Sequence, residues 1–151
     1  MINYEKKNIT TVTRGIIAHG VNCLGVMGSG IALAIKTKWP KAFIEYQELC
    51  KKYSPIELLG LTQVIHMNGD LYVSNNFTQL SCGHIGRYAD PEAVKMTLGQ
   101  TFSFADSIDL PLFLPKIGCG LGGLLWEGEI EPIVKELIRD YPNIEVTVVD
   151  L

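Results

Sequence analysis

The segment that most constrains this chain is Asn22 to Ala32, NCLGVMGSGIA, set between the apolar run Ile16-Ile17-Ala18 and the helical pattern Ile31-Ala32-Leu33-Ala34-Ile35. A strand, a glycine-rich turn and a helix in that order aim several backbone N–H groups and the positive end of a helix at one place, which suits a phosphate. Gly25, Gly28 and Gly30 lack the GxGxxG spacing of a dinucleotide-binding turn, and no Gly-Lys-Ser/Thr follows as a P-loop needs. A second glycine-rich segment, Pro115 to Trp126, PKIGCGLGGLLW, also follows an apolar run, Leu110 to Leu114, and also precedes a helical pattern. Two such loops from one sheet can close on the two ends of a diphosphate. The alternative is that the glycines only permit tight turns.

The rest of the chain reads as alternating strands and helices. Residues Ile2 to Thr13 form a short polar strand and turn around Asn8-Ile9-Thr10, and Arg14-Gly15 leads into a strand over Ile16 to Val21 whose apolar run implies burial on both faces. A helix over Ile31 to Trp39 is interrupted by Pro40, which suits the first turn of a second helix carrying Phe43, Tyr46, Cys50 and Tyr53 at helical spacing. Ser54-Pro55 ends it. Thr62 to Met67, the turn Asn68-Gly69 and Leu71 to Phe77 read as a hairpin. Thr78 to Ala89 reads as a surface loop, and Asp90-Pro91 opens a helix with Val94, Leu98, Thr101, Phe102 and Ala105 on one face. The last helix, Glu129 to Tyr141, has the apolar stripe Ile130, Ile133, Val134, Leu137 and Ile138, and Ile144 to Val149 closes the chain as a strand. The fold class is α/β, with a mixed, largely parallel central sheet between two helical layers. Ligands in such sheets bind beyond the carboxyl ends of the strands, where both glycine-rich loops fall.

Composition narrows the chemistry. The 151 residues, 47% hydrophobic and without a composition break, read as one domain over 1–151. A formal net charge of -3 argues against a broad grip on nucleic-acid phosphate, so backbone amides and helix ends must supply most of any phosphate attraction. The four cysteines, Cys23, Cys50, Cys82 and Cys119, show no CxxC or Cys/His spacing of a zinc site and read as reduced thiols of a cytoplasmic, monomeric protein. No metal and no cofactor is expected. No apolar run approaches the roughly 20 residues of a membrane span.

IIAHGVNCLGVMGSGIA followed by LPKIGCGLGGLLWE resembles the macrodomain family, and the order of elements agrees across nearly the whole chain. The spacing is most similar to the branch of yeast-type ADP-ribose 1''-phosphate phosphatases and to its neighbour, the terminal ADP-ribose glycohydrolases. The resemblance implies an ADP-ribose-type ligand and hydrolysis of ADP-ribose 1''-phosphate, the alternatives being removal of ADP-ribose from modified protein or nucleic acid, with nucleic acid only as an ADP-ribosylated substrate, or a reader that binds ADP-ribose without chemistry. Asn22 would bind the distal ribose, and Val26, Met27, Gly28, Ser29, Gly30 and Ile31 would wrap one side of the diphosphate. Pro115, Ile117, Gly118, Cys119, Gly120, Leu121 and Gly122 would form the opposite wall, and Asn8 with Ile9 would meet the adenine, an amide standing where the family commonly has an acid.

The resemblance has two departures. The glycohydrolase branch has an aspartate after its GCGL motif, where this chain has Gly122, and a lysine just past the strand, where Asn75-Asn76-Phe77-Thr78-Gln79 offers none. The phosphatase reading depends on His19, at the strand's end three residues before Asn22, to protonate a leaving ribose oxygen or activate water. Each reading has a structural alternative: His19 as a hydrogen-bonding strand residue, Asn22 as the brace of its own turn, Trp126 as a core residue. Cys119 reads as packing rather than as a nucleophile, and His84 as a solvated loop residue.

Overall fold

A computed structural model of the protein describes residues 1–82 and 87–150, so His84 lies outside the described residues. Six strands form one sheet in the order β1-β6-β5-β2-β4-β3. They are β1 (Ile2–Lys6), β2 (Gly15–Asn22), β3 (Thr62–Asn68), β4 (Leu71–Gln79), β5 (Leu112–Leu114) and β6 (Val146–Asp150). Every pairing is parallel except that of β3 with β4. The antiparallel edge is the hairpin legible in the sequence, with its turn one residue later: β3 runs through Asn68 and the turn is Gly69-Asp70, because the ladder shifts between His66 and Asn68.

The helices cover both faces. α1 (Gly30–Lys38) and α2 (Pro40–Lys52), with the short α3 (Pro55–Leu58), lie on one side, and α4 (Pro91–Ile108) and α5 (Glu131–Asp140) on the other. The strands explain this division through their period of two. In β2, Ile16 and Ala18 join the core under α4 and α5, while Ile17 and Val21 face the α1–α2 layer. Pro40 occupies the first turn of α2, Ser54 caps α3 by accepting from the Glu57 N–H, and Asp90 caps α4 by accepting from the Glu92 N–H. The predicted face of α4 is buried throughout. α5 starts slightly later than its sequence pattern, after a wide helical turn over Trp126–Ile130. Trp126 is a core residue there, its indole N–H donating to the Tyr4 hydroxyl at 3.2 Å. Among the described residues, no helix is long and apolar enough to cross a membrane.

One feature of the ladder positions the site. β2 and β4 run in register from Gly15 opposite Leu71 to Val21 opposite Phe77, and then Asn22 faces Gln79. Thr78 is the extra residue. The bulge lies at the carboxyl ends of the parallel strands, where both glycine-rich loops leave the sheet.

Candidate functional site

The two loops enclose a cleft of about 760 Å³, within the range of small-molecule sites. It crosses the strand ends from Lys7, Ile9, Val149 and Asp150 on the β1–β6 side to Asn22, Thr78 and Gln79 on the β4 side.

The first loop ends in an open helix terminus. Ser29 precedes α1 in extended conformation but makes no side-chain cap, and the first carbonyl-paired amide is that of Leu33, bonded to the Ser29 oxygen. The N–H groups of Gly30, Ile31 and Ala32 therefore begin the helix without a capping side chain, in residues that line the cleft. The loop is held from within. Asn22 Oδ1 accepts from the Leu24 N–H at 2.9 Å and the Val26 N–H at 3.4 Å, and Asn22 Nδ2 donates to the Val26 carbonyl at 2.8 Å. The Asn22 side chain is thus the brace of its own turn, with one amide hydrogen left over from these bonds.

Tyr46 fixes the same loop from α2. Its hydroxyl lies 2.7 Å from the Asn22 carbonyl and 2.8 Å from Asn22 Oδ1, and accepts from the Gly25 N–H at 3.2 Å. Burial raises its pKa, so the phenol stays protonated and keeps donating. Helical spacing in the sequence marks Tyr46 as core, which it is; its polar tip carries no sequence signal.

The second loop packs backbone against backbone. The Gly122 carbonyl accepts from the N–H groups of Tyr88 and Ala89 at 2.9 and 3.0 Å, and the Leu124 N–H donates to the Gly118 carbonyl at 2.9 Å. A Cβ at position 122 would stand 2.6 Å from the Gly118 oxygen and 2.9 Å from the Ala89 Cβ. At the place that the resemblance matches to an aspartate of the glycohydrolase branch, a side chain would force the Gly118 backbone or Ala89 to shift. Cys119 Sγ contacts the Ile117 carbonyl at 3.5 Å, and burial, with Glu129 nearby, pushes its thiol up to about 11. At neutral pH it is a protonated packing group.

His19 lines the cleft but is almost wholly buried, inside β2 rather than at its end. Its Nε2 lies 2.6 Å from Asn75 Oδ1 on the adjacent strand. The Asn75 amide donates to the Ala42 carbonyl and to Gln63 Oε1, each at 3.2 Å, so its oxygen is turned to the imidazole and Nε2 carries the hydrogen. Burial lowers the His19 pKa to about 4, the Asn75 bond opposing the shift. The imidazole is neutral at pH 7 and its Nδ1 has no partner.

The cleft brings together His19, Asn22, Ile9, Val26, Gly28, Ser29, Gly30 and Ile31, together with Pro115 and the 117–122 segment. Asn8 and Met27 are absent from its lining. Asn8 Oδ1 accepts from the Thr10 N–H at 3.0 Å and the Thr10 hydroxyl at 2.8 Å, capping the helical turn Ile9–Thr11, and Met27 is buried under α2 and β4. Lys7, Gly20, Thr78, Lys116 and Asp150 also line the cleft, and no motif in the sequence marks them as ligand contacts. Lys116 sits 3.8 Å from the Asp150 carboxylate, and Lys7 is paired with Glu5 at 2.8 Å. Among the described residues no three His, Cys, Asp or Glu side chains converge as a metal site requires.

Sheet order, two helical layers and paired loops over the strand ends give this chain the fold of macrodomains. No protein-family model matches it. A macrodomain protein from Streptomyces coelicolor superposes with a TM-score of 0.82 at 26% identity, covering 100% of this chain and 99% of the other. The ADP-ribose 1''-phosphate phosphatase of Debaryomyces hansenii is 27% identical over 180 residues, covering 98% of each chain. The DNA ADP-ribosyl glycohydrolase of Mycobacterium tuberculosis is 25% identical over 149 residues, covering 98% of this chain, which spans 42% of that relative's length.

Proposed function

We propose that this macrodomain binds ADP-ribose and hydrolyses the phosphate monoester of ADP-ribose 1''-phosphate. The observation that carries the reading is the pairing of an uncapped helix terminus at 30–32 with the backbone-built wall at 117–122 across a cleft of about 760 Å³. Amides and a helix end offer a diphosphate fixed positive partial charge with little help from side chains. The diphosphate lies between the loops, the base toward Lys7 and Asp150, and the distal ribose toward Asn22 and β4.

Of the two roles open to His19, the structure favours the base. An imidazole with a pKa near 4 holds no proton to give at pH 7, but Nδ1 has a lone pair without a partner. In the proposed step, which requires the buried Nδ1 to be opened to the cleft, Nδ1 accepts a proton from water as the water oxygen attacks phosphorus, and the bond from phosphorus to the 1''-oxygen breaks. The 1''-oxygen is protonated from solvent, giving ADP-ribose and inorganic phosphate. A relative named for this activity, matching over nearly its full length, supports the reading.

The second reading is removal of ADP-ribose from a modified macromolecule, favoured by the glycohydrolase relative. The crowded position 122 and the absence of lysine from Asn75 to Gln79 count against a mechanism through aspartate and lysine. Phosphorus NMR of the protein with ADP-ribose 1''-phosphate tests the proposal. Inorganic phosphate appearing at a catalytic rate supports it. Shifted diphosphate resonances with an intact monoester would leave binding standing and remove the phosphatase step, directing attention to ADP-ribosylated macromolecules.

A further inference from the structure

Two buried side-chain polar atoms among the described residues have no hydrogen-bond partner, His19 Nδ1 and Thr78 Oγ1, and both residues line the cleft. The proposed chemistry uses the first. The second is unexplained. Leaving a hydroxyl dehydrated and unpaired destabilises the free protein, so such a group calls for a reason.

Three observations converge on Thr78. It is the extra residue of the β4 ladder, between Phe77 opposite Val21 and Gln79 opposite Asn22, and bulges of this kind re-aim a side chain beside a site. Its side chain is directed across β2: a Cβ at Gly20 would lie 2.6 Å from Thr78 Oγ1, so the glycine leaves the hydroxyl its place. Ile117, the other neighbour of that point at 3.4 Å, belongs to the second loop. Strand, bulge and loop together bury an unpaired hydroxyl against Gly20, in a residue of the cleft lining next to Gln79, the partner of Asn22.

We infer that Thr78 is a ligand-contacting residue whose hydroxyl donates to an oxygen of the distal ribose, completing its hydrogen bonding only in the complex. This rests on the ADP-ribose reading and deepens it. Turning about χ1 between staggered positions lets the hydroxyl follow that oxygen. The contact is local to the distal sugar, so ADP, which ends at the second phosphate, does not make it.

The test compares two ligands on three proteins by titration calorimetry: ADP-ribose and ADP on the wild type, Thr78→Val and Thr78→Ser. The expected result is a loss of about three- to tenfold in ADP-ribose affinity for Thr78→Val, with ADP affinity unchanged and Thr78→Ser close to wild type. Equal loss for both ligands would mean a disturbed cleft rather than a ribose contact and would overturn the inference, as would no loss for either. Wild-type protein that binds neither ligand would overturn the binding reading along with it. Should Thr78→Val not fold, Thr78→Ala carries the same comparison.

Discussion

His19 Nε2 lies 2.6 Å from Asn75 Oδ1, across the parallel pairing of β2 and β4, and the Asn75 amide is in turn committed to the Ala42 carbonyl. The tautomer of a buried imidazole is thereby set by a backbone carbonyl of α2. Nitrogen NMR of the ring should report hydrogen on Nε2 at neutral pH. Replacing Asn75 with aspartate gives the ring an anionic partner and should raise the His19 pKa by a unit or more, read from the same ring resonances.

His19 also sets a pH dependence of stability. Its folded pKa, about 4, is below the ordinary 6.5, so the unfolded chain takes up a proton that the folded chain does not. Stability from this group is therefore complete above pH 6.5 and is lost as pH falls toward 4, by an amount on the order of 3 kcal/mol. Urea unfolding midpoints from pH 7 to 4 should decline in the wild type and flatten in His19→Gln. Phosphate release, if His19 acts as base, should hold steady through neutral pH and fall only near pH 4.

Tyr46→Phe removes one hydroxyl and leaves its partners at Asn22 and Gly25 unmatched. Stability should drop by about 1–3 kcal/mol. ADP-ribose affinity should fall too, because the loop that the hydroxyl holds forms one wall of the cleft. Denaturant melts and calorimetry on one preparation check both; a stability loss with unchanged affinity would separate the brace from the site.

Gly122→Ala puts a Cβ where only 2.6 Å separates it from the Gly118 oxygen. Backbone has to move, at a cost of about 1–3 kcal/mol. Because the shift occurs in the cleft wall, the variant should also lose most of its ADP-ribose binding. Wild-type stability and affinity in this variant would show the wall to be pliant.

The periodic parts of this structure were legible in the sequence because period and punctuation are local. Pro40, Asp90-Pro91 and the stripe over Ile130 to Ile138 each place an element to within a few residues, and the two glycine-rich segments mark the cleft walls. The rest depends on how single side chains are engaged, by near neighbours or distant ones. Asn8 lies in the motif position for a base contact but is engaged as the cap of its own turn, and Met27 lies between loop residues of the cleft yet points into the core. Thr78 could be suspected only once the β2–β4 register was known. Ser74, Asn75 and Asn76 offer a usable sign: three polar residues between Leu71-Tyr72-Val73 and Phe77 inside a strand imply polar partners on both faces. The structure supplies them, as Ala42 and Gln63 on one side and Thr101 on the other.

The Tyr46 hydroxyl makes α2 and the first loop a single mechanical unit although α2 itself contributes no residue to the cleft lining. Occupancy of the cleft should then be reported far from it. Amide hydrogens in the middle of α2 should exchange with deuterated solvent more slowly in the loaded protein.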